Sequence, residues 1–170
     1  MLTQMLRRST AVHLDVETLA EAHYDAIWRF CFRRVGRELA ADATQETFLT
    51  ALRRASSFRG DSDAKTWLFG IALNTCRSLS RKEKRDLPLD EIVELQAQSG
   101  TPNLSAMRLT QALKKISPEH QEVVILHEMD GFSYLEISQM LEIPEGTVKS
   151  RLHHAFLNLR KHLMPSEDAI

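Results

Sequence analysis

Residues 133–163 read SYLEISQMLEIPEGTVKSRLHHAFLNLRKHL, two helical patterns joined by a link too short for the helices to lie antiparallel. Ser133 followed three positions later by Glu136 is a capping box, in which each residue satisfies the other's backbone donor, so a helix is expected to begin at Tyr134. Leu135, Ile137, Met140 and Leu141 are expected to form its buried side. Glu142-Ile143-Pro144 ends it, because proline lacks a backbone donor and restricts the residue before it. A longer helix follows, with Val148, Leu152, Ala155, Phe156, Leu159 and Leu163 on one side at helical spacing. At about 100° per residue its other side shows Thr147, Ser150, His153, His154 and Lys161, flanked by Lys149 and Arg151. This is a helix-turn-helix whose second helix presents small, polar and cationic groups, a surface that fits the DNA major groove. Helix pairs of this kind also occur in bundles that bind no nucleic acid. The pattern alone leaves both readings open, and the rest of the chain has to decide.

A chain of 170 residues suits one or two small domains, each able to bury a modest core. Glycine, proline and aromatics are sparse, and apolar residues recur at helical rather than alternating spacing, so the expected class is all-α. The longest aliphatic run, Val123-Val124-Ile125-Leu126, is far too short to span a bilayer. Arg7 and Arg8 have no apolar stretch behind them, so no signal peptide is expected, and a cytoplasmic protein without membrane insertion follows. Cys31 and Cys76 lack metal-ligand spacing and are expected to be reduced, small core residues.

The net charge of −1 looks wrong for a nucleic-acid binder until it is divided along the chain. Residues 1–85 carry 15 Lys/Arg against 10 Asp/Glu, residues 86–104 carry four acids and no base, and residues 105–170 carry seven bases and nine acids. That partition, rather than the sum, governs the choice of partner.

A first helix is expected from about Leu14 through Tyr24, Ile27, Trp28, Cys31 and Phe32 to Arg34-Val35-Gly36. A second spans about Leu39 to Ala55, with Ala43, Thr47, Leu49 and Leu52 toward a core and Asp42, Gln45 and Glu46 on a polar side. The stretch Ser56-Ser57-Phe58-Arg59-Gly60-Asp61-Ser62-Asp63 is rich in turn formers. From Ala64 a third helix runs to about Arg85. Trp67, Leu68, Ile71, Ala72, Thr75 and Leu79 are expected on its inner side, and Thr66, Gly70, Leu73, Asn74, Arg77, Arg81 and Lys84 on its outer side. Six of the 21 residues from Lys65 to Arg85 are basic and one is acidic. Such a stripe is often only a solvated face, but beside an Arg/Asp/Ser loop it is also how a single strand of nucleic acid is held. Residues 86–104 hold Pro88, Pro102 and Gly100 and suggest a flexible, acidic, mostly extended linker with one short turn near Ile92. Beyond it, a helix near Ser105–Ile116 precedes one capped by Ser117, with Pro118 at the first position, where its missing donor costs nothing. Asp130-Gly131 is a left-handed stop. The expected organisation is two small helical domains, 1–85 and 105–170, the second a helix-turn-helix domain, on either side of the linker 86–104.

The segments DATQETFLTAL, SSFRGDSDAKTWLFGIALNTCRSL and SPEHQEVVILHEMDGFSYLEISQMLEIPEGTVKSRLHHAFLNLRKHL, in this order around the acidic linker, resemble the bacterial RNA polymerase sigma factors of the compact extracytoplasmic-function group. Each segment is weak to moderate evidence alone; together they cover most of residues 15–163. The resemblance implies an alternative transcription initiation factor that binds RNA polymerase core, through the β′ clamp and β subunits, and directs it to promoter DNA. It implies that Asp42, Gln45 and Glu46 dock on the clamp coiled coil, an acidic, amide-bearing face suiting an arginine-rich helix. It implies that Arg59, Asp61, Ser62 and Asn74 read the −10 element in the exposed strand, where a flipped base can enter a pocket, while Arg77 and Arg81 hold phosphates. It implies that Lys149, Ser150, His153 and His154 reach the −35 element, with Arg151 and Thr147 on backbone phosphate. The acidic linker, with Asp86, Asp90, Glu91 and Glu94, would thread toward the polymerase active-site cleft, or serve only as a tether. An anti-sigma factor is an implied regulator, and no cofactor or metal is implied.

Two departures from the family pattern bear on specificity. Gly70 stands where relatives often carry a base, and His153-His154 replace positions that are frequently arginine or another large residue. The promoter sequence therefore does not carry over. A stand-alone helix-turn-helix regulator would account for residues 105–163 and leave the first domain idle. An enzyme would need a catalytic constellation, and no HExxH, paired Cys/His, phosphate-binding glycine loop or activated nucleophile is present.

Overall fold

A computed structural model describes residues 14–84, residue 88 and residues 104–164. Among these the fold is all-α, without strands. Helix α1 spans Val16–Arg54 and opens on Asp15, whose carboxylate accepts from the backbone N–H of Glu17 and Thr18. The chain continues helically through the expected break, yet Gly36, at φ 78° and ψ 178°, kinks the helix there. That backbone geometry is open essentially to glycine alone. The kink turns the two halves of α1 so that both can bury a stripe, Ile27, Phe30, Cys31 and Val35 before it and Ala40, Ala43, Thr44, Thr47 and Ala51 after it. Thr44 and Thr47 can lie in this core because their hydroxyls donate to the carbonyls of Ala40 and Ala43, both at 2.7 Å.

Helix α2, Ala64–Glu83, packs along α1 through Leu68, Ile71, Ala72 and Cys76. Cys31 and Cys76 are both fully buried and free, as expected of core residues. They meet across the α1–α2 seam, where the hydrogen bond to Cys31, followed by burial, pushes the Cys76 thiol well above its ordinary range. Phe58 closes the loop before α2 by packing on Trp67, ring centroids 5.3 Å apart.

The second half contains α3 (Leu104–Leu113), α4 (Pro118–Val124, continued by a wider turn over Ile125–Met129), α5 (Tyr134–Leu141) and α6 (Glu145–Leu163). Ser117 caps α4 by accepting from the N–H of His120, with Pro118 in the first turn. Gly131, at φ 75°, makes the left-handed stop. The capping box forms as expected, with the Glu136 carboxylate accepting from the Ser133 N–H at 2.8 Å. Val123, Leu126, Ile137, Val148, Leu152 and Ala155 form the centre of this half. The linker, including its four acids and the turn near Ile92, lies outside the described residues apart from Pro88.

Several expected core residues are on the surface. Leu135 is 56% exposed, Leu52 59%, Phe156 44%, and Leu49 and Leu163 38% each. Phe156 and Leu163 lie at the margin of the buried stripe of their helix, whereas Leu135, Leu49 and Leu52 lie well round their helices from the buried residues. The larger correction concerns α2. Thr66 and Leu73, expected on the outer side, are buried, and a Cβ at Gly70 would lie 4.0 Å from the Met140 Cα. α2 is sandwiched, with α1 on one side and α5 on the other.

Replacing Gly36 by alanine forces a side chain into a conformation it avoids. Gly36→Ala is expected to lower unfolding stability by roughly 1–3 kcal/mol, read by urea denaturation, with helical content before the transition unchanged.

Candidate nucleic-acid interface

Three surfaces stand out, each displayed by one helix. On the second half of α1, Asp42, Gln45 and Glu46 are exposed, and the helical repeat puts Leu49 and Leu52 on the same side. Glu46 is braced by Arg53 at 3.1 Å and by the Thr50 hydroxyl at 3.3 Å. Leu49 and Leu52, expected toward the core, are instead exposed. As exposed leucines beside carboxylates and an amide they form an apolar centre with a polar rim, the composition of a protein-binding patch. Their position on the same side as the acids was the available signal.

The second surface is α6. Val148, Leu152, Ala155 and Leu159 face inward, which turns Lys149, Ser150, His153 and His154 out to solvent. The two imidazoles lie with ring centroids 5.6 Å apart, edge to face. Ser150 donates to the Thr147 carbonyl at 3.0 Å, leaving its oxygen lone pairs outward. Arg151 is turned back into the domain, where it pairs with Glu119 at 3.4 Å. Thr147 is half-buried in the first turn, and Pro144 at the start of α6 supplies no side-chain cap, so the amino end has no internal acceptor from that residue. Ordered donors at a helix start are suited to a phosphate oxygen.

The third surface is the loop before α2 together with the side of α2 away from α1. Arg59 and Asp61 form an exposed pair at 3.4 Å, Ser62 is half-buried, and Asn74 and Arg81 are exposed. Arg77 is not free. Its guanidinium donates twice to Glu122 of α4, at 3.0 and 2.6 Å. The structure thus brings Arg59, Asp61 and Ser62 together at one end of α2 and holds Asn74, Arg77 and Arg81 along its length. The middle of that surface is covered by α5. Among the described residues no cluster of three or more His, Cys, Asp or Glu side chains could hold a metal ion, and no helix is long and apolar enough to cross a membrane.

Known proteins resolve what the geometry leaves general. The family model for sigma-70 region 2 matches residues 19–86 and that for sigma-70 region 4 matches residues 106–159. The RNA polymerase sigma factor YlaC of Bacillus subtilis is 33% identical over 92% of this chain and 96% of its own length. The ECF RNA polymerase sigma factor SigL of Mycobacterium tuberculosis is 34% identical over 85% of this chain and 86% of its own. The chain belongs to the extracytoplasmic-function RNA polymerase sigma factors. That family comprises alternative sigma factors, which direct RNA polymerase to promoters. Solved relatives extend the likeness to the fold of this sigma factor. The sigma factor RpoE in complex with the anti-sigma factor NepR, from Bartonella quintana, matches with TM-score 0.64 and 27% identity over 86% of this chain and 95% of that one. CnrH, solved with the cytosolic domain of CnrY, matches with TM-score 0.66 and 25% identity over 87% and 86%.

The capping box that starts α5 gives this sigma factor a titratable support for its helix-turn-helix. Burial raises the Glu136 carboxyl, but hydrogen bonds from the Ser133 backbone and hydroxyl, with Lys65 nearby, outweigh it and hold the group below its ordinary value of 4.5. A carboxyl held low in the folded state stabilises the fold above the ordinary carboxylate range, and that contribution is lost as pH falls through the folded value. Glu136→Gln is therefore expected to flatten the fall in unfolding stability below about pH 5. Ser133→Ala is expected to cost about 1 kcal/mol at neutral pH by removing the cap. Urea titrations across pH check both.

Proposed function

We propose that this sigma factor docks on RNA polymerase core through the Asp42/Gln45/Glu46/Leu49/Leu52 patch and places two DNA-reading surfaces on the promoter. In this reading residues 1–85 hold the core-binding and −10-reading unit, residues 86–104 the linker, and residues 105–170 the −35-reading unit. The observation that carries it is that one chain matching both sigma regions presents an acidic-apolar patch on α1 and a polar, cationic recognition face on α6, on separate helices and both open to solvent. The protein works by binding rather than by catalysis, in the cytoplasm where its polymerase is.

At the −35 element, Lys149, Ser150, His153 and His154 enter the major groove and contact base edges. Arg151 leaves Glu119 for a backbone phosphate, and Thr147 donates to another. At the −10 element, Arg59, Asp61, Ser62 and Asn74 surround an extruded base, and Arg77 and Arg81 carry the strand by its phosphates. The relatives solved with NepR and CnrY support an anti-sigma factor as the regulator here too.

Run-off transcription with polymerase core on a fragmented genomic library tests the reading as a whole. Template-specific starts that require this protein are the expected result. Direct, specific binding of the free chain to duplex promoters, with no need for core, would favour a stand-alone regulator instead.

Two substitutions probe the surfaces separately. Leu52→Ser with Glu46→Lys is expected to weaken core binding by tenfold or more in a pull-down titration. Its melting temperature should stay within a few degrees, because both side chains are exposed. Exchanging Ser150 and His153 is expected to shift −35 preference by about 1–3 kcal/mol per base contact. Arg151→Ala instead should weaken all promoters alike and reduce the salt dependence by about one phosphate.

A further inference from the structure

Cys31 and Cys76 take no part in binding core or DNA, yet the fold places them together. Cys31 lies one turn after Ile27 and one turn before Val35 on the buried stripe of α1, and Cys76 lies one turn after Ala72 on α2. They are 0% and 1% exposed, both are free, and their thiols are hydrogen-bonded to each other across the seam. Buried residues around them include Ala43, Thr44 and Thr47 of α1 and Ala72 of α2. Such small side chains let two helices approach closely. Closeness is what a disulfide demands, since its Cα atoms stand about 4.4–6.8 Å apart. No neighbour holds either sulfur in another role. The Thr44 and Thr47 hydroxyls beside Cys31 donate to the Ala40 and Ala43 carbonyls, both at 2.7 Å. Among the described residues no metal-binding cluster includes a cysteine.

The two thiols are not equivalent. The hydrogen bond from Cys76 holds the Cys31 thiol below its ordinary range, against the effect of burial and with help from the Arg34 charge. The same bond, followed by burial, pushes Cys76 up. Cys31 is thus the sulfur that ionises first and attacks, and Cys76 the one that resolves the product.

We propose that Cys31 and Cys76 form an oxidative modification site, at which a small peroxide-class oxidant joins them in a disulfide that bolts α1 to α2. The Cys31 thiolate attacks one oxygen of hydrogen peroxide, the O–O bond breaks, and hydroxide leaves a sulfenic acid on Cys31. The Cys76 sulfur then attacks the Cys31 sulfur, the S–O bond breaks, and the departing hydroxide takes the Cys76 proton. Two thiols lose two electrons, and one peroxide becomes two waters. Burial selects the oxidant, because a glutathione-sized disulfide cannot reach either sulfur. Contact with Cys76 captures the sulfenic acid before it oxidises further. In a reducing compartment such a bond is transient, formed under oxidant stress and removed by thiol reductants. It links residues on either side of the Gly36 kink and of the Phe58–Asp63 loop, and so removes conformational freedom from the unfolded chain. No exposed group changes. The bridged protein therefore keeps its binding surfaces and resists unfolding.

The test treats the reduced full chain with hydrogen peroxide, blocks remaining thiols with N-ethylmaleimide in denaturant, and maps the tryptic peptides by mass spectrometry. Cleavage after Arg29, Arg33, Lys65 and Arg77 releases both cysteines on peptides without methionine, so peroxide damage to methionine does not confuse the reading. Expected are a Cys31–Cys76 cross-linked peptide, its loss on adding dithiothreitol, and a melting temperature about 5–15 °C above that of the reduced chain. Cys76→Ser should stop at a Cys31 sulfenic acid that dimedone traps, whereas Cys31→Ser should leave Cys76 unmodified. Both peptides alkylated after peroxide, a sulfinic acid at Cys31, or a bridge between two chains overturns the proposal, as does a bridged chain that melts no higher. If a serine variant does not fold, the wild-type peptide map and melting temperature decide. Oxidised chain warmed above the melting point of the reduced form should still support run-off transcription. If unwarmed, reduced chain supports none, the sigma assignment fails and the disulfide is judged on its own map.

Discussion

The carboxylate of Asp130, itself 1% exposed, takes two guanidiniums from α1 in a largely buried site, and the arrangement of the two halves turns on it. Desolvating three charges is costly, and the cost is met only because both carboxylate oxygens are bonded and Arg34 finds two more partners, the Phe30 carbonyl at 3.2 Å and the Phe30 ring at 3.4 Å. Removing one member of such a set leaves uncompensated charge and typically costs about 3–5 kcal/mol. The contact is therefore nearly all-or-none, unlike the graded attraction of surface ion pairs.

Its geometry is prepared by the backbone on the α4 side. The wide turn over Ile125–Met129 ends with the Asp130 N–H donating to the Ile125 carbonyl and the Phe132 N–H to the Leu126 carbonyl, both at 3.0 Å. The positive φ of Gly131 between them lets Asp130 and Phe132 leave α4 in the same direction. His127 then donates to the Phe132 carbonyl at 2.9 Å. A loop that in sequence is only a helix stop carries the buried Phe132 and the Asp130 carboxylate into the contact between the halves.

Rigid helices explain why the candidate binding groups fall on common sides. Asp42, Gln45 and Glu46 share a side of α1 because its second half is straight after Gly36. Lys149, Ser150 and His153 share a side of α6 because Val148, Leu152 and Ala155 fix its rotation. Departures of the structure from the expected core have separate causes. Phe156 lies at the edge of its apolar stripe, and periodicity marks such a side without saying how wide a partner will cover it; Leu135, Leu49 and Leu52 are apolar but out of phase with the buried residues of their helices. α2 failed in the opposite sense. Phe69 and Leu73 form a second apolar stripe about 100° round the helix from Leu68 and Ala72, and so wide an apolar surface is buried against two partners. That signal was present, but the basic residues along the same helix masked it.

Local chemistry was legible before any fold. The Ser133/Glu136 box, the Ser117-Pro118 start, the Gly131 stop and the Pro144 break each depend on residues within a few positions, whose backbone requirements do not change with what packs nearby. The all-α class follows from the same short-range patterns, while the two sigma regions are carried by the resemblance of whole segments. Tertiary structure alone decided that Arg77 meets Glu122, that Asp130 reaches Arg33 and Arg34 almost a hundred residues earlier, and that α5 covers α2. Those pairings join side chains from separate helices, and no spacing along the chain encodes which of many carboxylates will stand opposite which guanidinium once the helices have packed.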